Sequence, residues 1–321
     1  MLWLAAAALA VVLTGVALAR HASAYTRRTE AAFPPTGRFI DADGTRLHVR
    51  EAGMQGAPRI LLIHGASSNL LELWGPLADE FSPLHRVIAY DRPGMGYSTR
   101  IKRNGHAMAY QAKCAARVLE QTGPDPAIIV AHSLGASVAL RLALDYPHVV
   151  RGLVLVAPAA NPFPQFNPAW WARLSATPIL GDIFCNLIVP LFGPAMSGAS
   201  VANNFWPAPV PVGYFEQAGV PLIFRPRAFR SSALDVCAAN DEFGLQAPRY
   251  GDLLTPTVII TAEKDRIVSP KRHARALAVT LPAGELVIAP DTGHMPHRLR
   301  PDLVIAAIRR VNELTSQPAE R

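Results

Sequence analysis

Cysteines, charged residues and clustered cations are all scarce in this 321-residue sequence. Its three cysteines, Cys114, Cys185 and Cys237, form no CxxC pair and no spacing typical of a metal site. We therefore expect buried free thiols rather than a disulfide framework. Charged residues make up only 17% of the chain against 50% hydrophobic residues, which excludes an intrinsically disordered protein and is typical of a packed core.

Runs of one charge sign are absent as well. The chain has 31 Lys and Arg residues against 24 Asp and Glu residues, a net charge of +7, but the cations are scattered. Because no basic block with interleaved aromatic residues occurs, no nucleic-acid partner is predicted. A weak attraction to anionic lipid headgroups is the simpler interpretation of the positive charge.

A long uncharged run stands at the N-terminus. Residues Leu2 to Ala19 carry no charge, and three arginines follow within the next nine residues. About 18 apolar residues just suffice to span a bilayer as a helix, so residues 1–24 are predicted to be a membrane anchor. The cations after the run favour a cytoplasmic location for the rest of the chain. The alternative is a signal sequence, cleaved near Ala22-Ser23-Ala24, and an exported protein.

The rest of the chain alternates between short apolar strands and amphipathic helices. A linker is predicted at residues 25–36, where Pro34-Pro35 stiffens the chain. A β-hairpin follows at 37–53, with Asp43-Gly44 at its turn and His48 facing solvent. Continuous apolar runs then predict buried parallel strands at 59–63, 86–90, 127–130, 153–157, 257–261 and 285–289. The predicted fold is α/β, with a mostly parallel central sheet flanked by helices.

The alternation is interrupted once, between residues 158 and 253. Prolines, glycines and aromatic residues crowd this stretch, and no strand–helix pattern survives in it. We therefore predict a mostly helical cap with an apolar underside at 158–253, inserted into a core made of residues 37–157 and 254–316.

The strand at 127–130 leads directly into Ala131-His132-Ser133-Leu134-Gly135 and then into a helical pattern. This is the small-x-Ser-x-Gly arrangement of a nucleophile elbow, with Ala131 in place of the usual first glycine. Small residues are needed because the turn between strand and helix is very tight. The turn exposes the Ser133 hydroxyl, and the helix N-terminus behind it offers free N–H groups.

Two further side chains complete a catalytic constellation with Ser133. A serine hydroxyl becomes a useful nucleophile when a histidine takes its proton and a carboxylate orients that histidine. Asp265 and His294 follow Ser133 in the chain, and each comes just past the end of a predicted strand, where ligands gather in open parallel sheets. Asp291 and His297 are the alternative acid and base.

These segments resemble the α/β-hydrolase superfamily, serine-nucleophile branch, over roughly residues 37–314. The matching segments are His64-Gly65, Asp91 to Ser98, Ala131 to Gly135, Glu263 to Asp265 and Gly293-His294. The resemblance implies Ser133 as nucleophile, Asp265 as orienting acid and His294 as base. Related dehalogenases and epoxide hydrolases carry Asp at the elbow, so Ser133 argues against both.

The N–H groups of Ala66 and Leu134 are predicted to form the oxyanion hole. Four neighbouring residues are expected to support the oxyanion loop and the elbow. His64 is expected to hold the oxyanion loop by hydrogen bonding, and His132 to line the back of the elbow. Gly65 and Gly135 keep the two turns free of side chains.

The sequence thus predicts a membrane-tethered serine hydrolase that cleaves carboxylic esters or thioesters, with an apolar acyl part, through an acyl-enzyme. Its partners would be a small ester-type substrate and the membrane, and no metal or cofactor is expected. A C–C bond hydrolase or a lactonase on the same triad is one alternative. A non-catalytic binding module on the same fold is the other.

Overall fold

Eight strands form one sheet in the computed structural model, which describes residues 1–101 and 103–316. In chain order the strands are β1 (Arg38–Ala42), β2 (Thr45–Ala52), β3 (Arg59–Ile63), β4 (Arg86–Tyr90), β5 (Ala127–His132), β6 (Val150–Val156), β7 (Thr257–Ala262) and β8 (Gly284–Ala289). Their order across the sheet is β1-β2-β4-β3-β5-β6-β7-β8. Strands β1 and β2 run antiparallel to their neighbours, and β3 to β8 are parallel. The predicted α/β fold with a mostly parallel sheet is confirmed.

Helices separate and cover these strands. They are α1 (Leu2–Ala32), α2 (Leu71–Phe81), α3 (Met108–Thr122), α4 (Leu134–Asp145), α5 (Trp170–Ala176), α6 (Leu180–Ile183), α7 (Val189–Phe205), α8 (Tyr214–Gln217), α9 (Pro226–Gln246), α10 (Ala276–Thr280), α11 (Pro296–Leu299) and α12 (Pro301–Ser316). The segment between β6 and β7, residues 157–256, holds α5 to α9 and no strand among its residues, and is called the insert below.

The sheet has a separate apolar core on each face. Leu61, Ile129 and Leu155 point into the first core with residues of α3 and α4. Leu62 and Val130 point into the second with residues of α2 and α12. Side chains alternate between the two faces of a strand, so burial of both faces requires the continuous apolar runs seen in the sequence.

The hairpin of β1 and β2 forms as predicted, with Asp43 and Gly44 both at positive φ in its turn. The prediction that His48 faces solvent is wrong. Its side chain is buried, and its ring nitrogens lie 2.7 Å from Asp91 Oδ2 and 2.9 Å from Thr36 O. The reason is that β2 pairs with β4 on its second edge, which brings the loop after β4 across His48.

The predicted linker is largely helical, because α1 continues to Ala32. The second half of α1 packs on the insert: the Tyr25 hydroxyl donates to Pro221 O at 2.8 Å, and Glu30 pairs with Arg225 at 2.7 Å. These contacts hold residues 25–32 in the helix. Pro34-Pro35 comes just after the helix ends.

Two helices of the described chain are long and apolar enough to cross a membrane, Leu2–Ala32 and the continuous segment Leu180–Phe205. Leu2, Trp3, Leu4 and Leu9 near the start of α1 are exposed. By length and composition α1 suits either a membrane anchor or a signal sequence.

Helix α4 packs very closely on the end of β3. A Cβ atom added to Gly135 would lie 2.5 Å from the carbonyl oxygens of both Ile63 and His64. Since two backbone oxygens cannot both move away, only glycine allows this approach.

We expect Gly135→Ala to lower the free energy of unfolding by about 1–3 kcal/mol, because overpacking forces the backbone to shift. Gly251→Ala is the matched control, since no atom lies within 4 Å of its added Cβ. Chemical denaturation of both variants measures the difference. Equal stability of the two variants would contradict this account of the α4–β3 contact.

Candidate active site

Ser133 lies in the turn between β5 and α4 with φ 51° and ψ −121°. A non-glycine residue at positive φ is strained, so the surrounding structure must hold it there. Its N–H donates to Val156 O at 3.0 Å, and its carbonyl accepts from Ala136 N at 3.0 Å and Ala159 N at 3.2 Å. These three backbone bonds hold the hydroxyl at the carboxyl end of the sheet.

Ser133, His294 and Asp265 form a continuous chain of hydrogen bonds. His294 Nε2 lies 3.0 Å from Ser133 Oγ, and His294 Nδ1 lies 2.7 Å from Asp265 Oδ2. Because an ionised carboxylate only accepts, Nδ1 carries the proton and the Nε2 lone pair faces the serine hydroxyl. The other oxygen of Asp265 accepts from the N–H groups of Ile267 and Val268 at 2.8 and 2.9 Å, which orients the carboxylate.

The two alternative residues lie elsewhere. Asp291 is exposed, and its N–H donates to Glu263 Oε2 at 3.2 Å. His297 is buried, and its Nε2 lies 2.9 Å from Glu72 Oε1. Neither side chain joins the hydrogen-bond chain of Ser133 and His294.

The predicted oxyanion donors come from neighbouring strands. Strands β3 and β5 pair in parallel with Ile63 beside Ala131. Ala66 and Leu134 each follow three residues after this pair, and Leu134 is the first residue of α4. Their N–H groups therefore lie at the same edge of the sheet as Ser133, and the partial positive charge of the helix N-terminus adds to the Leu134 N–H.

His64 and His132 are buried beside the site. Burial, together with the neighbouring Arg92 guanidinium, lowers the pKa of His64 to about 3. Neutral His64 accepts from the Arg92 N–H through Nε2 at 3.0 Å and donates from Nδ1 to Gly65 O at 2.9 Å. It thus binds the loop after β3 to the loop after β4.

Burial also holds the pKa of His132 well below its usual range, with the nearby His297 and His294 adding to the effect. Its Nε2 lies 2.9 Å from the carbonyl oxygen of His294, so this nitrogen carries the proton and donates. His132 thereby fixes the backbone that carries His294, and its role in lining the back of the elbow stays a prediction.

Two buried charge clusters next to the site were not predicted. Arg92 and Asp235 are fully buried and paired at 2.9 Å. Glu72 accepts from Arg298 Nε at 2.9 Å and from the Tyr214 hydroxyl at 2.8 Å, beside His297. Arg92 comes just after a buried strand, a position that could have marked it in the sequence as a residue near the site. No such position marks Asp235, because it comes from α9, 143 residues further along the chain.

The residues that the structure describes contain no group of three His, Cys, Asp or Glu side chains that could hold a metal ion. The expectation that no metal or cofactor takes part stays a prediction.

Known proteins resemble this chain over most of its length. A family model described as alpha/beta hydrolase fold matches residues 58–301. The 2-hydroxymuconate semialdehyde hydrolase of Pseudomonas putida is 31% identical over 267 residues, which cover 81% of this chain and 88% of that protein.

Solved structures share the fold. An enol-lactonase from Burkholderia xenovorans superposes with a TM-score of 0.69 at 19% identity, covering 86% of this chain and all of the other. A thermophilic esterase from Thermogutta terrifontis superposes with a TM-score of 0.67 at 21% identity, covering 88% of this chain and all of the other. From its sequence match, sheet order and strand–serine–helix turn, this chain belongs to the α/β-hydrolase family.

Proposed function

We propose that this protein is a serine hydrolase that cleaves carboxylic esters or thioesters through an acyl-enzyme. The observation that carries the proposal is the hydrogen-bond chain from Ser133 through His294 to Asp265, with distances of 3.0 and 2.7 Å. A binding module needs no such chain of hydrogen bonds. It also has no need of the strained backbone at Ser133, φ 51°, that exposes the serine hydroxyl. The non-catalytic alternative explains neither feature.

In the proposed reaction, Ser133 Oγ attacks the substrate carbonyl while His294 Nε2 takes its proton. Asp265 orients the ring and stabilises the imidazolium. The N–H groups of Ala66 and Leu134 bind the oxyanion. His294 then protonates the leaving group, and a water activated by the same nitrogen releases the acid from the acyl-enzyme.

The surroundings of His294 support an apolar acyl part. Gly293 lies against the carbonyl of Trp206, so closely that a Cβ there would overlap it. The Arg266 guanidinium carbon lies 3.0 Å from the centroid of the Trp206 ring. Arg266 is the residue after Asp265 in the chain. An insert that brings an aromatic side chain to the acid and histidine loops favours apolar substrates.

For the chain as a whole, we assign residues 37–157 and 254–316 to the core and 158–253 to a cap. Residues 1–24 are proposed to anchor the protein, because the start of α1 exposes only apolar side chains and three arginines follow it. The arginines favour a cytoplasmic catalytic domain. Cleavage of residues 1–24 as a signal would instead give an exported enzyme.

A second candidate is hydrolysis of a C–C bond or a lactone. The Pseudomonas putida relative, a 2-hydroxymuconate semialdehyde hydrolase, supports it, because it is 31% identical over most of this chain. A panel of aryl esters of increasing acyl length, acyl thioesters, lactones and 2-hydroxymuconate semialdehyde separates the candidates. A kcat/KM for a lactone or for the semialdehyde above that for every ester would replace the ester proposal with this one.

We expect Ser133→Ala to lower kcat for an aryl ester by on the order of a million-fold, since removal of the nucleophile removes the covalent route. Labelling by a fluorophosphonate probe should be lost at the same time. Ser200→Ala, at an exposed serine of the insert, is the control and should label like the wild type. Undiminished turnover by Ser133→Ala would refute the mechanism.

Asp265→Asn should lower kcat by about 10⁴-fold, because an amide there favours the wrong tautomer of His294. Asp291→Asn should leave kcat near the wild-type value, because Asp291 is exposed and does not contact His294. Steady-state kinetics of the two variants measures both effects. The reverse ranking would assign the acid to Asp291.

A further inference from the structure

The guanidinium group of Arg92 lies directly beneath the proposed oxyanion loop. Its Nε donates to the carbonyl oxygen of His64 at 3.0 Å, and its Nη2 donates to the carbonyl oxygen of Gly65 at 2.8 Å. The side chain is fully buried, so both bonds are shielded from water. A buried charge retained in this position requires partners on every side.

The Gly65 carbonyl belongs to the same peptide unit as the Ala66 N–H. The one cis peptide bond among residues 1–101 and 103–316 is Trp206–Pro207, so this unit is trans. In a planar trans peptide the C=O and N–H groups point in opposite directions. Two donors on one oxygen, Arg92 Nη2 at 2.8 Å and His64 Nδ1 at 2.9 Å, therefore decide where the Ala66 N–H points.

These donors also strengthen the N–H as a donor. A hydrogen bond from a cation to an amide oxygen polarises the amide, and chains of hydrogen bonds in a buried site reinforce one another. Within the described chain, no acceptor is found for the Ala66 N–H. The N–H is thus both aimed and left open for a ligand oxygen.

The insert supplies the counter-charge that holds Arg92. Asp235 of α9 accepts from Arg92 Nη1 at 2.9 Å through one oxygen and from Arg100 Nη2 at 2.6 Å through the other. Gln111 Oε1 accepts from the same Arg92 Nη1 at 2.5 Å. The next residue after Ala66 also contacts the insert: the Ser67 N–H donates to Ser232 Oγ of α9 at 2.9 Å.

We propose that Arg92 is the positioning residue of the oxyanion hole, and that Asp235 of the insert holds Arg92 against the Gly65–Ala66 peptide. The insert then contributes to stabilising the tetrahedral intermediate as well as to enclosing substrate. This inference rests on the proposed serine-hydrolase function. Arg92 acts through the peptide and does not touch the substrate.

The test compares Asp235→Asn, Arg92→Lys and the control Arg59→Lys in the full-length protein. Arg59 is also a buried arginine that donates to a backbone carbonyl, Leu119 O at 2.6 Å, but it lies at the opposite end of β3. Each preparation is titrated with a fluorophosphonate probe to completion, so that kcat is expressed per active serine. Loss of folded protein then does not enter the result.

Removal of an oxyanion donor costs about 10²–10³ in kcat, and a misdirected donor costs less, so we expect a decrease of about ten- to hundredfold in Asp235→Asn and Arg92→Lys. KM for a short-chain aryl ester should change by no more than about twofold, because the interaction is made in the transition state only. The Ki of a trifluoromethyl ketone, which forms a tetrahedral adduct with serine, should rise by the same factor as kcat falls. Arg59→Lys should change neither value.

The inference is overturned if a titratable site variant, Asp235→Asn or Arg92→Lys, keeps both kcat and Ki within twofold of the wild-type values. A decrease of equal size in Arg59→Lys would also overturn it, because the effect would then not depend on the contact between the arginine and the Gly65–Ala66 peptide. Wild-type protein without activity on any ester would instead remove the proposed function and this inference with it.

Discussion

Helix α4 begins one residue after Ser133 and crosses the carbonyl groups at the end of β3, and this close approach sets the position of the whole site. Gly135 permits it, since any side chain would overlap the carbonyl oxygens of Ile63 and His64. The same carbonyl end of β3 continues into the loop of Ala66. The proposed nucleophile and both proposed oxyanion donors are therefore held by one backbone contact, between α4 and the end of β3.

Charge buried around that contact joins the insert to the core. Arg92 and Asp235 link the loop after β3 to α9, and Glu72 links α2 to Arg298 and to Tyr214 of the insert. Such pairs are costly to desolvate and add little net stability, but a half-broken pair is strongly unfavourable. They therefore favour one arrangement of the insert relative to the loops around Ser133 and disfavour others.

The N-terminal helix is joined to the same insert. Its second half packs there through Tyr25 and Glu30, and its first half exposes apolar side chains. If residues 1–24 anchor the protein as proposed, the insert lies at the side of the molecule from which the anchor emerges. A helix that continues to Ala32 replaces most of the linker that the composition of residues 25–36 predicted.

Local sequence patterns were enough to predict the α/β fold, the strands of the sheet and the side chains that come just past the strand ends. Continuous apolar runs such as Arg59 to Ile63 identify parallel strands because both of their faces must be buried, and side chains just past such strands meet at one edge. The sequence could not determine that Asp265 and not Asp291 lies against His294, since both follow strands and only the path of each loop separates them. Nor could it place His48 inside, or bring Asp235 to Arg92 across 143 residues. These contacts depend on how the insert and the loops pack against residues far away in the chain, which no local pattern encodes.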